Sequence, residues 1–159
     1  MRSFWLMANV ISMAVEIKNK KANYQYELTE RFTAGIQLKG TEIKSIRGGK
    51  ASIGEAYCKL INNELFVFNM YIAEYENAGY ATHDERGQRK LLLDKVELKK
   101  ITRKMKDVGL TIVPTLVFIN ENGWAKMNIA IAKGKKMHDK RDDLKKKDVK
   151  RDIDRGMTE

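Results

Sequence analysis

The sequence predicts a mainly β fold, a small antiparallel barrel with one short and one longer flanking helix and a basic C-terminal tail. Three observations carry this. Apolar–polar alternations recur between residues 24 and 132 and read as strands. Two segments stopped by glycine, within Gly40–Gly49 and over Asp94–Val108, have helical spacing instead. From Lys133 onward large apolar residues become rare and a solvated cationic composition takes over.

The segment Met1–Val15 stands apart. Its apolar run is short, is broken by Asn9 and Ser12, and lacks a small-residue cleavage site, so it does not read as a secretory signal. The expectation is a poorly ordered or misassigned extension over residues 1–17, with Met7 or Met13 as alternative initiators. Tyr24–Leu38 reads as one long strand or a bent pair. Tyr24, Tyr26 and Leu28 alternate with polar residues, Ala34, Ile36 and Leu38 alternate again, and Thr29–Arg31 between them marks a turn or bulge. Gly40–Gly49 holds a short helix, with Thr41 as expected N-cap, Ile43 and Ile46 on one face, and Gly48-Gly49 as the stop. Strands over Glu55–Ile61 and Glu64–Tyr71 flank Asn62-Asn63, residues that tolerate the positive φ of a tight hairpin.

Ala73–Arg89 is polar and weakly periodic, an exposed connection long enough for a role of its own. Asp94–Val108 is the longer helix. Asp94 is placed to cap it, Glu97 follows in the first turn, Gly109 ends it, and Val96, Ile101, Met105 and Val108 form the expected buried stripe. Thr111–Ile119 and Trp124–Ala132 make a last hairpin around Asn120–Gly123, with Pro114 demanding an edge or a bulge. Closure is the natural solution for so many antiparallel strands, because it removes exposed edges. Strand count and helix placement are compatible with an OB-like barrel over residues 18–132.

Charge narrows the function. Against 31 Lys+Arg stand 21 Asp+Glu, a net charge of +10, and each phosphate neutralised by such a surface releases counterions. Charge alone does not separate RNA, DNA and anionic membrane. One cysteine, Cys58, excludes an internal disulfide and suits a reducing cytoplasm, and no apolar run is long enough to span a bilayer. Between Lys133 and Arg151 ten Lys/Arg face four Asp, with Met137, Leu144 and Val149 the only large apolar residues. Three such side chains do not offset the ordering entropy, so residues 133–159 are expected to be a tail disordered when free.

No constellation reads as an active site. A lone cysteine in a strand pattern, as at Cys58, is more often a small packed hydrophobe than a nucleophile. His83 and His138 are each followed by Asp, too common a dipeptide to mark a catalytic pair, and no Cys/His cluster has metal-ligand spacing. Gly48-Gly49 lacks the downstream Gly-Lys-Ser/Thr of a nucleotide loop. No enzymatic activity, cofactor or metal is expected. Cations interleaved with aromatics say more: Lys18, Lys20 and Lys21 precede Tyr24 and Tyr26; Lys39, Lys44, Arg47 and Lys50 surround the short helix; Arg86, Arg89 and Lys90 stand in the long connection. Mobile cations suit phosphates and flat rings suit unstacked bases. Any single lysine here is an ordinary solvated residue; the set with the tail points to RNA.

Several stretches, in order and at matching spacing, resemble the small protein B family. They are Asn19-Lys20-Lys21-Ala22; Ala34-Gly35-Ile36 with Leu38; Gly40-Thr41-Glu42-Ile43-Lys44-Ser45-Ile46-Arg47 with Gly49-Lys50-Ala51; His83-Asp84; Arg89-Lys90-Leu91-Leu92-Leu93; and Ala132-Lys133-Gly134-Lys135-Lys136 with His138-Asp139-Lys140-Arg141. The resemblance implies an OB-like barrel that binds the tRNA-like domain of transfer-messenger RNA. It implies delivery of that RNA, charged with alanine and carried by elongation factor Tu, to stalled ribosomes, with no membrane or DNA partner. The tail would probe the empty mRNA channel and the decoding centre of the small subunit.

With the basic residues above, the resemblance marks Asn19, Lys20, Lys21, Tyr24, Thr33, Lys44, Arg47, Lys50, Arg89, Lys90, Leu92 and Asp94 as RNA-binding. It marks Lys133, Gly134, Lys135, Lys136, His138, Asp139, Lys140 and Arg141 as ribosome-binding. Thr33 stands where some relatives carry Glu, Asp94 where some carry Asn or His, and Asp148-Val149 where some carry Trp. Two other classes remain: a generic OB-type binder of ribosomes or single strands, and a hydrolase or transferase using His83 or Cys58.

Overall fold

The structure, a computed structural model, describes residues 15–80 and 82–156, the side chains of residues 137–139 excepted. In chain order the elements are β1 (Glu16–Lys18), α1 (Ala22–Gln25), β2 (Tyr26–Ile36), α2 (Gly40–Arg47), β3 (Ala51–Ser52), β4 (Tyr57–Ile61), β5 (Glu64–Phe68), β6 (Tyr71–Ile72), β7 (Arg89–Leu92), α3 (Lys95–Lys104), β8 (Leu110–Ile119), β9 (Ala125–Gly134) and α4 (Met137–Gly156).

The antiparallel pairings run β8-β4-β5-β7-β2-β9 and return from β9 to β8, so the main sheet closes into the expected barrel. β8 is long enough to hold β1 and β4 along one edge, with Lys18 opposite Leu116 and Cys58 opposite Ile112. Alternation drives the closure. Ala34 and Ile36, Leu65 and Val67, and Met127 and Ile129 turn inward along their strands and are buried. Each large one is worth about 1.5–3 kcal/mol of burial. Asn62 and Asn63 turn the β4–β5 hairpin with φ of 50° and 61°, as their side chains permit. Register shifts fall where the sequence breaks pattern, between Leu28 and Arg31 in β2 and between Pro114 and Leu116 in β8.

Four expectations are corrected. On α3 the inward side chains are Leu98, Ile101 and Met105, while Val96 and Val108 are 78% and 102% exposed. The helix ends at Lys104, so Val108 falls beyond it. Thr41 does not cap α2; Lys39 takes that position and its N–H donates to Glu42 at 2.8 Å. The long connection is only partly exposed, because His83 is buried within it. Its Nε2 faces the Ile72 carbonyl at 3.1 Å and its Nδ1 the Thr41 hydroxyl at 2.9 Å, which pins the loop to α2 and β6. A two-stranded ribbon, Ala51 opposite Ile72, escaped the sequence reading.

At the N-terminal end, β1 brings residues 16 and 17 into the sheet; residues 1–14 of the expected extension lie outside the described residues. At the other end β9 runs on to Gly134, and the tail forms α4. Two contacts tie the root of α4 down: the Lys135 N–H donates to the Gln25 carbonyl at 3.0 Å, and the Lys135 ammonium pairs with Asp143.

Candidate nucleic-acid interface

Residues directly opposed in a ladder share a face of the sheet. Thr33 lies opposite Asn128, Gly35 opposite Lys126, and Gly35 also opposite Leu92. The outer face of β9–β2–β7 therefore gathers these five residues, although they come from three distant stretches of sequence. The chain then runs from Leu92 to Asp94 at the start of α3. Thr33, Leu92 and Asp94, three of the positions marked by resemblance, line one open depression together with Lys126 and Glu97. Gly35 keeps its floor low, since a Cβ there would meet Leu92 at 3.4 Å and the Lys126 ammonium at 3.7 Å. The Thr33 hydroxyl donates to Asn128 Oδ1 at 2.8 Å, which turns the Asn128 amide nitrogen into an outward donor. Asp94 occupies the N-cap position without a side-chain cap bond, so its carboxylate stays exposed at the rim.

A larger groove of about 610 Å³ adjoins the depression and shares Gly35, Leu92 and Lys126 with it. Arg47 and Trp124 form its far wall, and no carboxylate lines it. Arg47 donates to the Gly123 carbonyl at 3.2 Å, so the β8–β9 turn positions the guanidinium. That turn is itself fixed. Asn120 accepts the Trp124 N–H on its side chain at 2.8 Å, and Gly123 takes a φ of 82°. Trp124 is left 69% exposed, a large flat ring beside a cation. The sequence reading passed over Trp124, Lys126 and Asn128. A tryptophan just after an Asn–Gly turn was the available signal for the first; the other two become visible only through the register of β9 with β2.

Other expected contacts are distributed unevenly. Lys44 lies over the Tyr75 ring at 5.2 Å, and Lys50 pairs with Glu76 at 3.7 Å. Lys20 and Lys21 are exposed just before α1, and Tyr24 is half-buried within it. Lys21 pairs with Glu55, holding that carboxyl below its usual range, and Lys90 pairs with Glu64 at 2.8 Å. In the tail Lys133, Gly134, Lys136 and Arg141 are exposed, and Lys140 is half-buried. Lys135 is engaged by Asp143, whose carboxyl it holds below the ordinary value. The side chains of His138 and Asp139 lie outside the described residues.

Asn19 and Arg89, expected as RNA contacts, are interior struts. The Asn19 amide donates to the Pro114 carbonyl at 2.9 Å and the Ile53 carbonyl at 3.2 Å, joining β8 to the loop before β4. Arg89 is 4% exposed. Its guanidinium meets Glu42 at 2.8 Å, the Met70 carbonyl at 2.7 Å and the Asp84 carbonyl at 2.8 Å. A donor so fully used within the barrel has none left for a phosphate.

The residues proposed for chemistry are also interior. Cys58 is buried and burial pushes its thiol well up, away from the reactive thiolate. Both ring nitrogens of His83 are engaged. Among the described residues no three His, Cys, Asp or Glu gather as a metal site, and no helix is long and apolar enough to cross a membrane.

Comparison with known proteins identifies the family. The family model described as SmpB protein matches residues 16–159. An SsrA-binding protein of Bacteroides thetaiotaomicron is 56% identical over 142 residues, 89% of this chain and 95% of the relative. One of Parabacteroides distasonis is 54% identical over 151 residues, 95% and 99% of the two chains. Among solved structures, one described as "tmRNA-SmpB: a journey to the center of the bacterial ribosome" superposes with a TM-score of 0.66 at 43% identity, covering 77% of this chain and 86% of that one. A match running from the first strand through the tail, with relatives more than half identical over nearly their whole length, makes this chain a member of the SmpB family.

Proposed function

We propose that this protein binds transfer-messenger RNA through the outer face of β9–β2–β7 and the adjoining Trp124 groove, and carries it to stalled ribosomes. The observation that carries the reading is the convergence of Thr33, Leu92 and Asp94 in one depression beside Lys126, Arg47 and Trp124. Relatives bear the name SsrA-binding protein, and the solved neighbour is described with transfer-messenger RNA on the ribosome, which supports the same partners here. Arg47 and Lys126 supply phosphate contacts, Asn128 an outward donor, and Trp124 a platform for an unstacked base. Leu92, 52% exposed, offers apolar contact to a ribose or base edge. The protein acts by binding rather than by bond chemistry, in the cytoplasm, with elongation factor Tu as the carrier of the charged RNA.

Barrel and tail divide the labour. The barrel, from β1 through Gly134, presents a preorganised face whose geometry is set by sheet register. The tail is thinly held. Leu144, Val149 and Ile153 are 47%, 58% and 54% exposed, so α4 lacks the apolar packing from which helices in proteins draw most of their stability. The free protein therefore samples unfolded tail states, and the cationic segment becomes fully helical against ribosomal RNA in the mRNA channel. His138 contacts decoding-centre RNA. A reconstituted tagging reaction tests the division. Truncation after Lys135 and His138→Ala are expected to preserve transfer-messenger RNA binding and to abolish or slow tagging. A truncated protein that loses most of its RNA affinity contradicts it.

A further inference from the structure

Helix α3 carries five cations, Lys95, Lys99, Lys100, Arg103 and Lys104, and the structure divides them into two sets. Lys100 and Lys104 reach back to Glu30 beside the β2 bulge and hold its carboxyl below the usual range. Lys95, Lys99 and Arg103 recur at four-residue spacing, which places them along one side of the helix. All three are exposed, and none takes part in the ion pairs of the described residues. Here intramolecular neutralisation covers the cations facing the barrel and spares the outer row.

The outer row borders a groove of about 390 Å³. Leu98 and Thr102 form its floor, Asn63 of the β4–β5 turn stands across from the helix, and no carboxylate lines it. The only acid within α3, Glu97, belongs to the depression with Thr33 and Leu92 instead. The groove and the depression flank α3 on different sides and come together at its N-terminus, where Lys95 follows Asp94. From Lys95 to Arg103 the helix rises about 12 Å. A row of mobile cations with no carboxylate among the lining residues suits a chain of phosphates. An acidic protein would need an aromatic or aliphatic anchor pocket, which two floor residues do not make.

We propose that this side of α3 is a phosphate track. Lys95, Lys99 and Arg103 bind consecutive backbone phosphates of transfer-messenger RNA beyond the Thr33–Leu92–Asp94 depression, and the Asn63 amide donates from the opposite wall. Contacts of this kind carry no sequence information; they fix register and orientation, and so set the angle at which the RNA leaves the barrel. The inference rests on the function proposed above, and the experiment separates the two.

Full-length protein and the variants K95Q/K99Q/R103Q, Lys99→Gln and K100Q/K104Q are titrated with the tRNA-like domain of transfer-messenger RNA across a salt series. Losing three phosphate contacts lowers the salt slope by about 2–3 for the triple variant, and losing one lowers it by about 1 for Lys99→Gln. Between 50 and 200 mM salt the wild type then loses an extra factor of about 20–40 in affinity relative to the triple variant. K100Q/K104Q is expected to keep the wild-type slope. Exposed helix sites tolerate Lys→Gln with little change in stability, and an unchanged unfolding midpoint verifies this. A wild-type slope in the triple variant overturns the track, as does an equal drop in K100Q/K104Q, which would be a bulk-charge effect. An unchanged slope combined with lost capture of ribosomes or of an acidic protein assigns the groove to that partner and also overturns it. Failure of the wild-type protein to prefer this RNA over transfer RNA removes the underlying reading as well.

Discussion

Replacing Arg89 by methionine separates its two candidate roles, RNA contact and internal strut. The side chains of Arg89 and Glu42 are 3% and 7% exposed, and the pair is 2.8 Å apart. Methionine keeps much of the stem but strands Glu42 in the interior and leaves the Met70, Gly87 and Asp84 carbonyls without their shared donor. Removing one member of a buried pair typically costs about 3–5 kcal/mol, mostly the penalty of the charge left behind. Glu42 cannot escape to solvent cheaply, because it also accepts the Lys39 N–H that starts α2. With a urea m-value of about 1–3 kcal/mol/M, the unfolding midpoint should fall by roughly 1–5 M, a large share of a typical total of about 5–15 kcal/mol. Affinity for transfer-messenger RNA, measured at low temperature on protein verified as folded, should stay within about threefold, with the salt slope unchanged. An R89M variant with a wild-type midpoint and a salt slope lowered by one would refute the strut and restore Arg89 as a phosphate contact.

Three further outcomes follow from the same geometry. Trp124→Ala should weaken RNA binding by about 1–3 kcal/mol, the usual worth of a stacked base, and leave the salt slope intact; an unchanged Kd would remove the ring from the interface. Lys135 holds the Asp143 carboxyl below its ordinary value, so the pair's contribution to tail docking is complete above about pH 4 and disappears as the pH falls through the depressed value. The protection factor of the Lys135 amide, exchange measured relative to the unstructured rate at the same pH, should fall in that acid window and, at neutral pH, in Asp143→Asn; protection independent of both would show that the pair does not hold α4. Cys58→Ala should lower stability by about 1 kcal/mol and leave RNA binding and tagging normal, whereas loss of activity in stable protein would revive a chemical role.

The barrel was legible because strands such as β2, β4 and β5 carry a period-two pattern that burial enforces locally, whereas β1 and β7, three and four residues long, carried too little pattern to be read as strands. Asn62-Asn63 and Pro114 announced the hairpin and the bulge through their own backbone preferences. The ribbon of Ala51–Ser52 with Tyr71–Ile72 is two residues deep, too short for any period to register. On α3 the sequence offers two apolar stripes at helical spacing, and only contact with the barrel selects Leu98, Ile101 and Met105 over Val96 and Val108. Within the site, Arg89 and Lys90 look alike in sequence. One points into the barrel and the other out because neighbours in a strand alternate, and the partner that neutralises Arg89 lies 47 residues away. Thr33, Leu92 and Asp94 were chosen by family resemblance, and residue pattern alone would not have joined them. Their convergence depends on the pairing of β2 with β7, a long-range fact.

The central claim, that this barrel face selects transfer-messenger RNA, is tested most directly by sequencing the RNA that copurifies with full-length protein from its own cells, alongside a variant altered only at the face, T33A/L92A/K126Q. The account predicts one dominant transfer-messenger RNA with the wild type and its depletion with the variant, at equal protein recovery. A broad mixture of RNAs from the wild type, or the same dominant RNA from both proteins, would contradict it.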